Sequence, residues 1–341
     1  MRAGAVLLAA LLVTCGGAAP PAAAASPHQE FTVSDPRITE SSGLAASAAH
    51  PGIFWTHNDS DDGPYVYAVD STGRTVATVT LRGVKPRDAE AISLGPDGQL
   101  YLADIGDNLD GGWSEVWVYR FAEPRDLRDQ SVDAVRYRVR YEDGPRNAEA
   151  LMVHPVTGRL YIASKRESGG ALYQGPQTLS ATAVNTFRKV SEVPWVTDGG
   201  FSPDGTRLLL RGYFWATMYR WQDGGAPQSL GDVSLPFQQQ GESAAFAADG
   251  RSVLFGSEGR NSPVWRETLT GDQLPDSVRP EPAPSGSPAG AGPSAGGTGA
   301  EAAGSTSGGT SDSVSGRGVV VLVLVAGAVA LASRRKRRRD S

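Results

Sequence analysis

One phrase occurs five times along this 341-residue chain. Each copy has an acidic or polar start, a short apolar segment, a turn containing Gly or Asp, and a second apolar segment. The copies begin at Glu40, Asp88, Asn147, Thr197 and Gly241. A phrase that recurs at such intervals indicates a repeat architecture, in which distant stretches of chain form equivalent units.

The spacing of the copies predicts the size of each unit. Their acidic positions lie 50, 59, 49 and 44 residues apart and are Glu40, Glu90, Glu149, Asp198 and Glu242. This is about the length of one four-stranded propeller blade. Strand signals recur throughout, and no segment has a sustained helical period. We therefore predict an all-β, five-bladed β-propeller over residues 28–271, with six blades as the alternative if a long outer segment contains an additional blade.

The last blade shows only three strand segments, so it needs a fourth strand from elsewhere. We expect residues 30–33, at the start of the domain, to supply it. Such a strand would close the ring and remove an exposed edge.

Two flanking regions predict where the protein resides. Residues 1–25 have the charge, apolar run and small residues of a secretory signal peptide, and they contain the one cysteine, Cys15. Residues 272–317, rich in Gly, Ser, Pro and Ala, are predicted to be a disordered linker. Residues 318–333 are apolar and are followed by a basic tail, 334–341, which predicts a single transmembrane helix with a cytoplasmic C-terminus. We expect a cell-membrane protein whose bulk is extracellular, and the composition favours a Gram-positive bacterium.

The charge of the predicted domain limits its partners. Residues 26–282 contain 24 Lys and Arg against 34 Asp and Glu. Such an acidic surface repels phosphate backbones, so we expect no nucleic-acid partner. We expect a monomer that binds a small molecule or another extracellular ligand, and cations are favoured at its surface.

Propeller geometry predicts where the polar residues meet. The first strand of each blade starts at one face, and the antiparallel second strand returns to that face. Strand starts and ends should therefore converge there. Besides the acidic positions, the candidates for this ligand face are Asn58, Asp59, Asp104, Asp107, Asn108 and Glu258, together with Glu40.

Several carboxylates around a narrow axis repel one another, and a hard cation such as Ca²⁺ would relieve the repulsion. The alternative is that each acid caps a turn or pairs with a neighbouring arginine.

The architecture resembles secreted propellers of the calcium-dependent apyrase type and, more loosely, the phytase-like propellers. The resemblance covers residues 28–271 at the level of architecture. It implies a central Ca²⁺ held by residues at the starts of the innermost strands: Ser41 or Ser42, Glu90, Glu149, Asp198 and Glu242. Blade four departs from the pattern, because it has TDGG where Ser or Glu is expected.

Two functions are compatible with these residues. The first is a non-catalytic, membrane-anchored module that binds a ligand or partner at the acidic face. The second is a calcium-dependent hydrolase of phosphoesters or phosphoanhydrides, in which Lys165, Arg166 and Arg211 would clamp a phosphoryl oxygen and His57 would be a general base. The alternative roles of these residues are neutralisation of the surrounding acids and simple hydrogen bonding.

Overall fold

A computed structural model describes residues 26–59, 62–108, 111–166, 168–222 and 226–280 of the chain. Within these ranges the regular structure is β, apart from two 3-10 helices, Gly271–Gln273 and Asp276–Val278. None of these residues belongs to a helix long and apolar enough to cross a membrane. The predicted signal peptide, most of the predicted linker, the segment 318–333 and the basic tail lie outside the described residues.

The strands follow one another through short turns. The first ten are β1 (His28–Thr32), β2 (Ser41–Ala46), β3 (Ile53–Asn58), β4 (Tyr65–Asp70), β5 (Thr75–Leu81), β6 (Ala89–Leu94), β7 (Gln99–Asp104), β8 (Val116–Ala122), β9 (Gln130–Val132) and β10 (Val135–Tyr141). The others are β11 (Ala148–Val153), β12 (Leu160–Ser164), β13 (Gly170–Gln174), β14 (Val184–Val193), β15 (Asp198–Phe201), β16 (Arg207–Arg211), β17 (Ala216–Arg220), β18 (Gln228–Asp232), β19 (Gly241–Phe246), β20 (Ser252–Ser257) and β21 (Pro263–Thr268).

These strands form five antiparallel blades. Blade 1 consists of β2 to β5, blade 2 of β6, β7, β8 and β10, blade 3 of β11 to β14, blade 4 of β15 to β18, and blade 5 of β19 to β21. Blade 5 is completed by β1, which pairs antiparallel with β21 and places Phe31 opposite Val264. The N-terminal strand therefore closes the ring, as the sequence predicts.

The ring is closed through its innermost strands and its cores. The innermost strands contact one another in the circular order β2, β6, β11, β15, β19 and back to β2. Each of the five junctions between blades contains its own apolar cluster, including one around Phe31, Leu44 and Leu254 between blades 5 and 1. Five blades are thus observed, and the six-bladed alternative is not.

The long outer segment forms additional pairing rather than a sixth blade. The 59-residue spacing between Glu90 and Glu149 includes β9, which pairs parallel with β5 of blade 1. In the next blade, β10 pairs parallel with β14 and joins blades 2 and 3 into one eight-stranded sheet. The outer edges of three blades are therefore partly covered, which limits edge-to-edge association.

The fold continues beyond residue 271, where the linker is predicted to begin. The two 3-10 helices pack against the outer part of blades 4 and 5, with Leu274 in the apolar cluster between them. Arg207 is fully buried, and its guanidinium pairs with Asp276 at 2.7 Å. This ion pair fixes the last described segment to β16.

Candidate functional site

The same backbone arrangement recurs at one face of the blades. The first residue of each innermost strand pairs with the last residue of the second strand: Ser41 with Asn58, Ala89 with Asp104, Ala148 with Ser164, Asp198 with Arg211, and Gly241 with Ser257. Immediately afterwards the register shifts in every blade except blade 4. The residues at these irregularities include Ser42, Glu90, Glu149 and Glu242. Because a bulge turns a side chain out of the regular alternation, it directs these groups to a common site.

Blade 4 lacks the irregularity, and its acid has a different environment. The Asp198 carboxylate accepts hydrogen bonds from the backbone N–H groups of Gly199 and Ala244, both at 2.7 Å. Burial raises its pKa well above the usual value despite these bonds. Asp198 thus joins blade 4 to β19. Similarly, the Ser41 hydroxyl contacts that of Thr56 at 2.7 Å. Both residues were predicted as metal ligands, and the structure gives each an internal partner.

We call the polar group at this face the acidic mouth. Its members contact or act electrostatically on one another across blades 1, 2, 3, 4 and 5, and they are Ser42, Asp59, Asp88, Glu90, Glu149, Lys165, Tyr213, Glu242 and Glu258. The sequence prediction that distant acids converge is therefore met for Glu90, Glu149 and Glu242.

Lys165 brings a positive charge into the acidic mouth. Its Nζ lies 2.9 Å from Glu149 Oε1 and donates a 3.0 Å hydrogen bond to the Tyr213 hydroxyl. Although burial opposes its charge, the carboxylates of Glu149 and Glu242 raise the pKa of Lys165 well above its usual value. The ammonium group therefore stays charged and neutralises part of the mouth.

Two acids on blade 5 have raised pKa values. Burial raises the pKa of Glu242 to about 8, against the lowering effect of Lys165. Its Oε2 is buried and has no hydrogen-bond partner among the described residues. Burial also raises the pKa of Glu258 to about 6, although Ser42 donates to its Oε1 at 3.0 Å. Additional positive charge or hydrogen-bond donors would stabilise the ionised form of both carboxylates.

Among the described residues, a group of three carboxylates lies at the junction of blades 1 and 2. One oxygen each from Asp59, Asp88 and Glu90 lies within 4.8 Å of the others. Asp59 follows β3, whereas Asp88 and Glu90 stand just before and within β6. Burial, followed by the charge of Glu149, raises the pKa of Glu90 well above its usual value. Three carboxylates at this separation are a donor set suited to Ca²⁺.

Several residues predicted for the ligand face hold its loops instead. Asn58 Oδ1 accepts the backbone N–H groups of Thr39 and Glu40 at 2.9 and 3.0 Å. Asp104, with no exposed side-chain surface, accepts those of Arg87 and Asp88 at 3.0 and 2.9 Å.

Asp107 and Asn108 belong to the following loop. Asp107 Oδ2 accepts the Trp113 N–H at 2.8 Å, and Asn108 Nδ2 donates to Asp88 Oδ2 at 2.9 Å. These bonds position the backbone and side chains around the acidic mouth.

The residues predicted for catalysis are dispersed. His57 is 1% exposed, its ring packs against Gly43, and burial lowers its pKa to about 4. Arg211 is fully buried and donates to the carbonyl groups of Ser243 and Gly256 at 2.9 and 3.1 Å; burial lowers its pKa to about 10. Arg166 is exposed and lies next to Lys165 at the end of β12. Of these four residues, only Lys165 lies within the acidic mouth.

A polar cleft of about 400 Å³ adjoins the mouth in blade 3. Its lining includes Lys165, Arg146, Arg166, Asn147 and Lys189. Lys165 thus lines the cleft and also contacts Glu149, so a ligand in the cleft would lie beside the acidic mouth.

Sequence reasoning did not select Asp88 or Tyr213. Asp88 is the first residue of the second copy of the repeated phrase and lies two residues before Glu90. This position in the repeat is the sequence signal that indicates Asp88. Tyr213 lies in the turn between β16 and β17, in a different blade from its partner Lys165. No sequence spacing connects those two residues.

The fold and this site define a five-bladed β-propeller with an acidic mouth. No protein-family model matches the chain, and no curated protein matches it either. Solved structures similar to the chain include a PQQ-bound aldose sugar dehydrogenase from Streptomyces coelicolor, with a TM-score of 0.42, 14% identity, and coverage of 73% of this chain and 99% of that one.

Two further similar structures have comparable scores. An auxiliary nutrient binding protein from Bacteroides thetaiotaomicron has a TM-score of 0.42 and 8% identity, covering 67% of this chain and 69% of that one. A putative gluconolactonase has a TM-score of 0.39 and 15% identity, covering 73% and 93%. At such scores, these likenesses assign neither an activity nor a ligand to the present chain.

Proposed function

We propose that this protein is a membrane-anchored extracellular β-propeller that binds a ligand at its acidic mouth with the help of bound Ca²⁺. The observation that carries the proposal is the convergence of Glu90, Glu149 and Glu242 from three blades. Like charges brought together in a buried place raise the free energy of the empty site, so binding of a cation is favoured.

The Lys165 ammonium neutralises only part of the negative charge of the acidic mouth. Lys165 pairs with Glu149, but Glu242 keeps a buried oxygen without a hydrogen bond among the described residues. A ligand that brings a cation or several donor groups could satisfy that oxygen. This pattern supports a binding role, because a buried polar atom without a partner is costly in the unliganded protein.

The placement of the other candidate residues favours binding over hydrolysis. A phosphoryl clamp requires a cationic side chain that reaches the substrate, and the Arg211 guanidinium is enclosed among backbone carbonyl groups. A general base must approach the proton that it accepts, and His57 is buried beside Gly43. Neither geometry suits catalysis at the mouth.

Membrane anchoring is the part of the proposal that depends on sequence. The apolar run 318–333 and the six Lys and Arg residues directly after it support a single span with the tail inside. The propeller would then stand outside the cell, where Ca²⁺ at millimolar concentration can occupy a weak site.

Calorimetric titration of the EDTA-treated, purified protein with CaCl₂ tests the proposal, together with a phosphate-release assay on ATP and p-nitrophenyl phosphate. We expect saturable Ca²⁺ binding and no phosphate release above background. Phosphate release that is abolished in Glu149→Gln or Lys165→Ala would instead support the calcium-dependent hydrolase. Absence of Ca²⁺ binding would contradict the role of the cation.

A further inference from the structure

The position of the bound cation can be inferred more narrowly from the carboxylates of blades 1 and 2. Oxygens of Asp59, Asp88 and Glu90 lie within 4.8 Å of one another. Ca²⁺ has ligand distances of about 2.3–2.6 Å, so two ligands on opposite sides of the ion are about 5 Å apart. All three oxygens therefore fit one Ca²⁺ coordination shell.

Glu90 supplies an independent indication of a ligand. The residue is only 4% exposed, and within the described part of the chain its carboxylate accepts no hydrogen bond. Its oxygen nevertheless points into the group formed with Asp59 and Asp88. A carboxylate so enclosed normally has donors or an ion beside it. Its neighbours Asp59 and Asp88 are acids, and the Lys165 ammonium, which also acts on Glu90, pairs directly with Glu149 instead. An additional cation is therefore favoured beside the three carboxylates.

The backbone at Gly106 packs closely against the carboxylates of Asp88 and Glu90. A Cβ on Gly106 would lie 2.6 Å from Asp88 Oδ2 and would overlap Glu90 Oε1. The Gly106 N–H donates to the Asp88 carbonyl at 3.1 Å, which holds the loop in this close approach. Glycine at this position therefore allows the loop to close over the two carboxylates.

The side chain of Asp88 and the backbone of Asp59 are also held in place. Asn108 Nδ2 donates to Asp88 Oδ2 at 2.9 Å, which leaves Oδ1 of that residue for another partner. The Asp59 carbonyl accepts the Ala89 N–H at 3.0 Å, and the Asp59 N–H donates to Glu40 at 2.9 Å. The ligand group is thereby built across the junction of β3 and β6 before any ion binds.

The axial position is less suitable for a metal ion. There the Lys165 ammonium lies 2.9 Å from Glu149 Oε1 and also acts on Glu242, whereas it acts on Glu90 more weakly than Asp59 and Asp88 do. A second cation beside it would be repelled, and it would compete with Lys165 for the same oxygens. The ring of axial ligands implied by the family resemblance is thus partly neutralised by the protein itself.

We propose that a Ca²⁺ ion binds off the axis, at Asp59, Asp88 and Glu90, and links blade 1 to blade 2. Water or a ligand oxygen completes the coordination, so the ion presents open positions to the acidic mouth. This inference rests on the proposed function in one respect, namely that the mouth binds Ca²⁺, and it specifies which residues hold the ion.

Isosteric variants of the full-length protein, purified in detergent, test the position. Calorimetric titration with CaCl₂ would compare wild type with Asp88→Asn, Glu90→Gln and the axial variant Glu242→Gln. We expect Asp88→Asn and Glu90→Gln to weaken Ca²⁺ binding roughly 10-fold or more, as loss of a ligand charge does. Glu242→Gln should change the affinity less than about threefold, because Glu242 lies outside the group of three proposed ligands.

The matched control is Asp249→Asn, which removes one charge from the exposed turn between β19 and β20 on the opposite face. Its Ca²⁺ affinity should equal that of wild type. Melting in EDTA checks that each variant is folded, and Glu90→Gln is the safer variant because it relieves repulsion among buried acids.

The outcomes separate the two proposals. Loss of binding in Glu242→Gln with normal binding in Asp88→Asn would place the ion on the axis and overturn this inference, while the proposed function stands. No Ca²⁺ binding by wild type would contradict both the site and the cation dependence of the proposed function.

Discussion

At the scale of single residues, Lys165 has the most consequential contacts in the acidic mouth. It comes from the end of the second strand of blade 3 and pairs with Glu149, in the first strand of the same blade. A further neighbour, Tyr213, belongs to blade 4. One ammonium group thus links two blades and offsets part of a charge that would otherwise oppose folding.

Replacing Lys165 with methionine should destabilise the protein strongly. The change leaves Glu149 buried without its counter-ion, and loss of one partner of a buried ion pair costs about 3–5 kcal/mol. Urea unfolding in EDTA measures the effect. The double variant Lys165→Met, Glu149→Gln should recover much of the loss, because the unpaired charge is then gone. Equal losses in the single and double variants would show that the unpaired charge of Glu149 is not the cause of the destabilisation.

Glu242 should make the stability of the metal-free protein dependent on pH. Its pKa is raised from 4.5 to about 8 in the folded state, so folding favours its protonated form. The resulting stabilisation is complete below about pH 4.5 and is lost as the pH rises through about 8. One such proton changes the free energy of unfolding by at most about 1.4 kcal/mol per pH unit.

The comparison of wild type with Glu242→Gln isolates this contribution. Thermal melts in EDTA between pH 5 and 8 should show a smaller decrease in Tm with pH for the variant than for wild type. Parallel pH profiles would mean that Glu242 is ionised in the folded protein throughout this range.

At the scale of strands, the irregular register near the start of the innermost strands determines which acids meet. In regular strands, successive side chains alternate between faces, so a one-residue error reverses the direction of a side chain. The shift beside Glu90 and Glu149 directs both carboxylates to the mouth. In blade 4 the register is regular, and the Asp198 carboxylate binds backbone N–H groups instead.

The closing strand β1 should be essential for stability. Phe31 is 5% exposed and packs in the cluster between blades 5 and 1, so Phe31→Ala should lower the free energy of unfolding by about 3–5 kcal/mol. Phe214→Ala is the control, since that ring is 57% exposed and should change stability by less than about 0.5 kcal/mol. Similar urea midpoints for the two variants would contradict closure of the ring by β1.

At the scale of the whole molecule, the ring explains how acids far apart in sequence become neighbours. The five inner strands contact one another in a closed circle, and each junction has its own apolar core. The innermost strands approach closely, since a Cβ on Gly43 would lie 2.7 Å from the backbone nitrogen of Ile92 in the next blade. The polar mouth is thus a consequence of an apolar scaffold that surrounds it.

Fractionation of cells that express the full-length protein tests the predicted membrane anchor. The full-length protein should remain in the membrane fraction after a carbonate wash, and a chain ending at residue 280 should be released into the medium. Both proteins retain residues 1–25, so export is common to the two. A full-length protein found in the medium would contradict the anchor, as would a truncated chain that stays in the membrane fraction.

Much of the fold was predictable because its signals are local. The repeated phrase indicated five units, and the missing strand of the last unit indicated closure by the N-terminal strand; both are observed. The alternation of strand and turn residues needs only short-range information. The additional strand β9 was not predicted, since its three residues carry no distinct pattern.

The site was predictable only in part. Glu90, Glu149 and Glu242 were selected because they recur in phase with the blades, and they do meet. Their detailed surroundings were not accessible, because the partners of Lys165 and the approach of Gly106 to Asp88 depend on contacts between blades or loops. The roles of the predicted ligand and catalytic residues remain predictions, to be decided by the Ca²⁺ titrations described above.

The sequence by itself determined the β class and the closing strand, favoured five blades over six, and indicated three of the acids that meet, Glu90, Glu149 and Glu242, because these depend on local periodicity and on the spacing of the repeats. Only the tertiary structure decided that Lys165 enters the axial group and that Asp59, Asp88 and Glu90 come together between two blades. The reason is physical: a strand pattern specifies which way a side chain points, whereas a distance between side chains depends on how whole blades and loops pack.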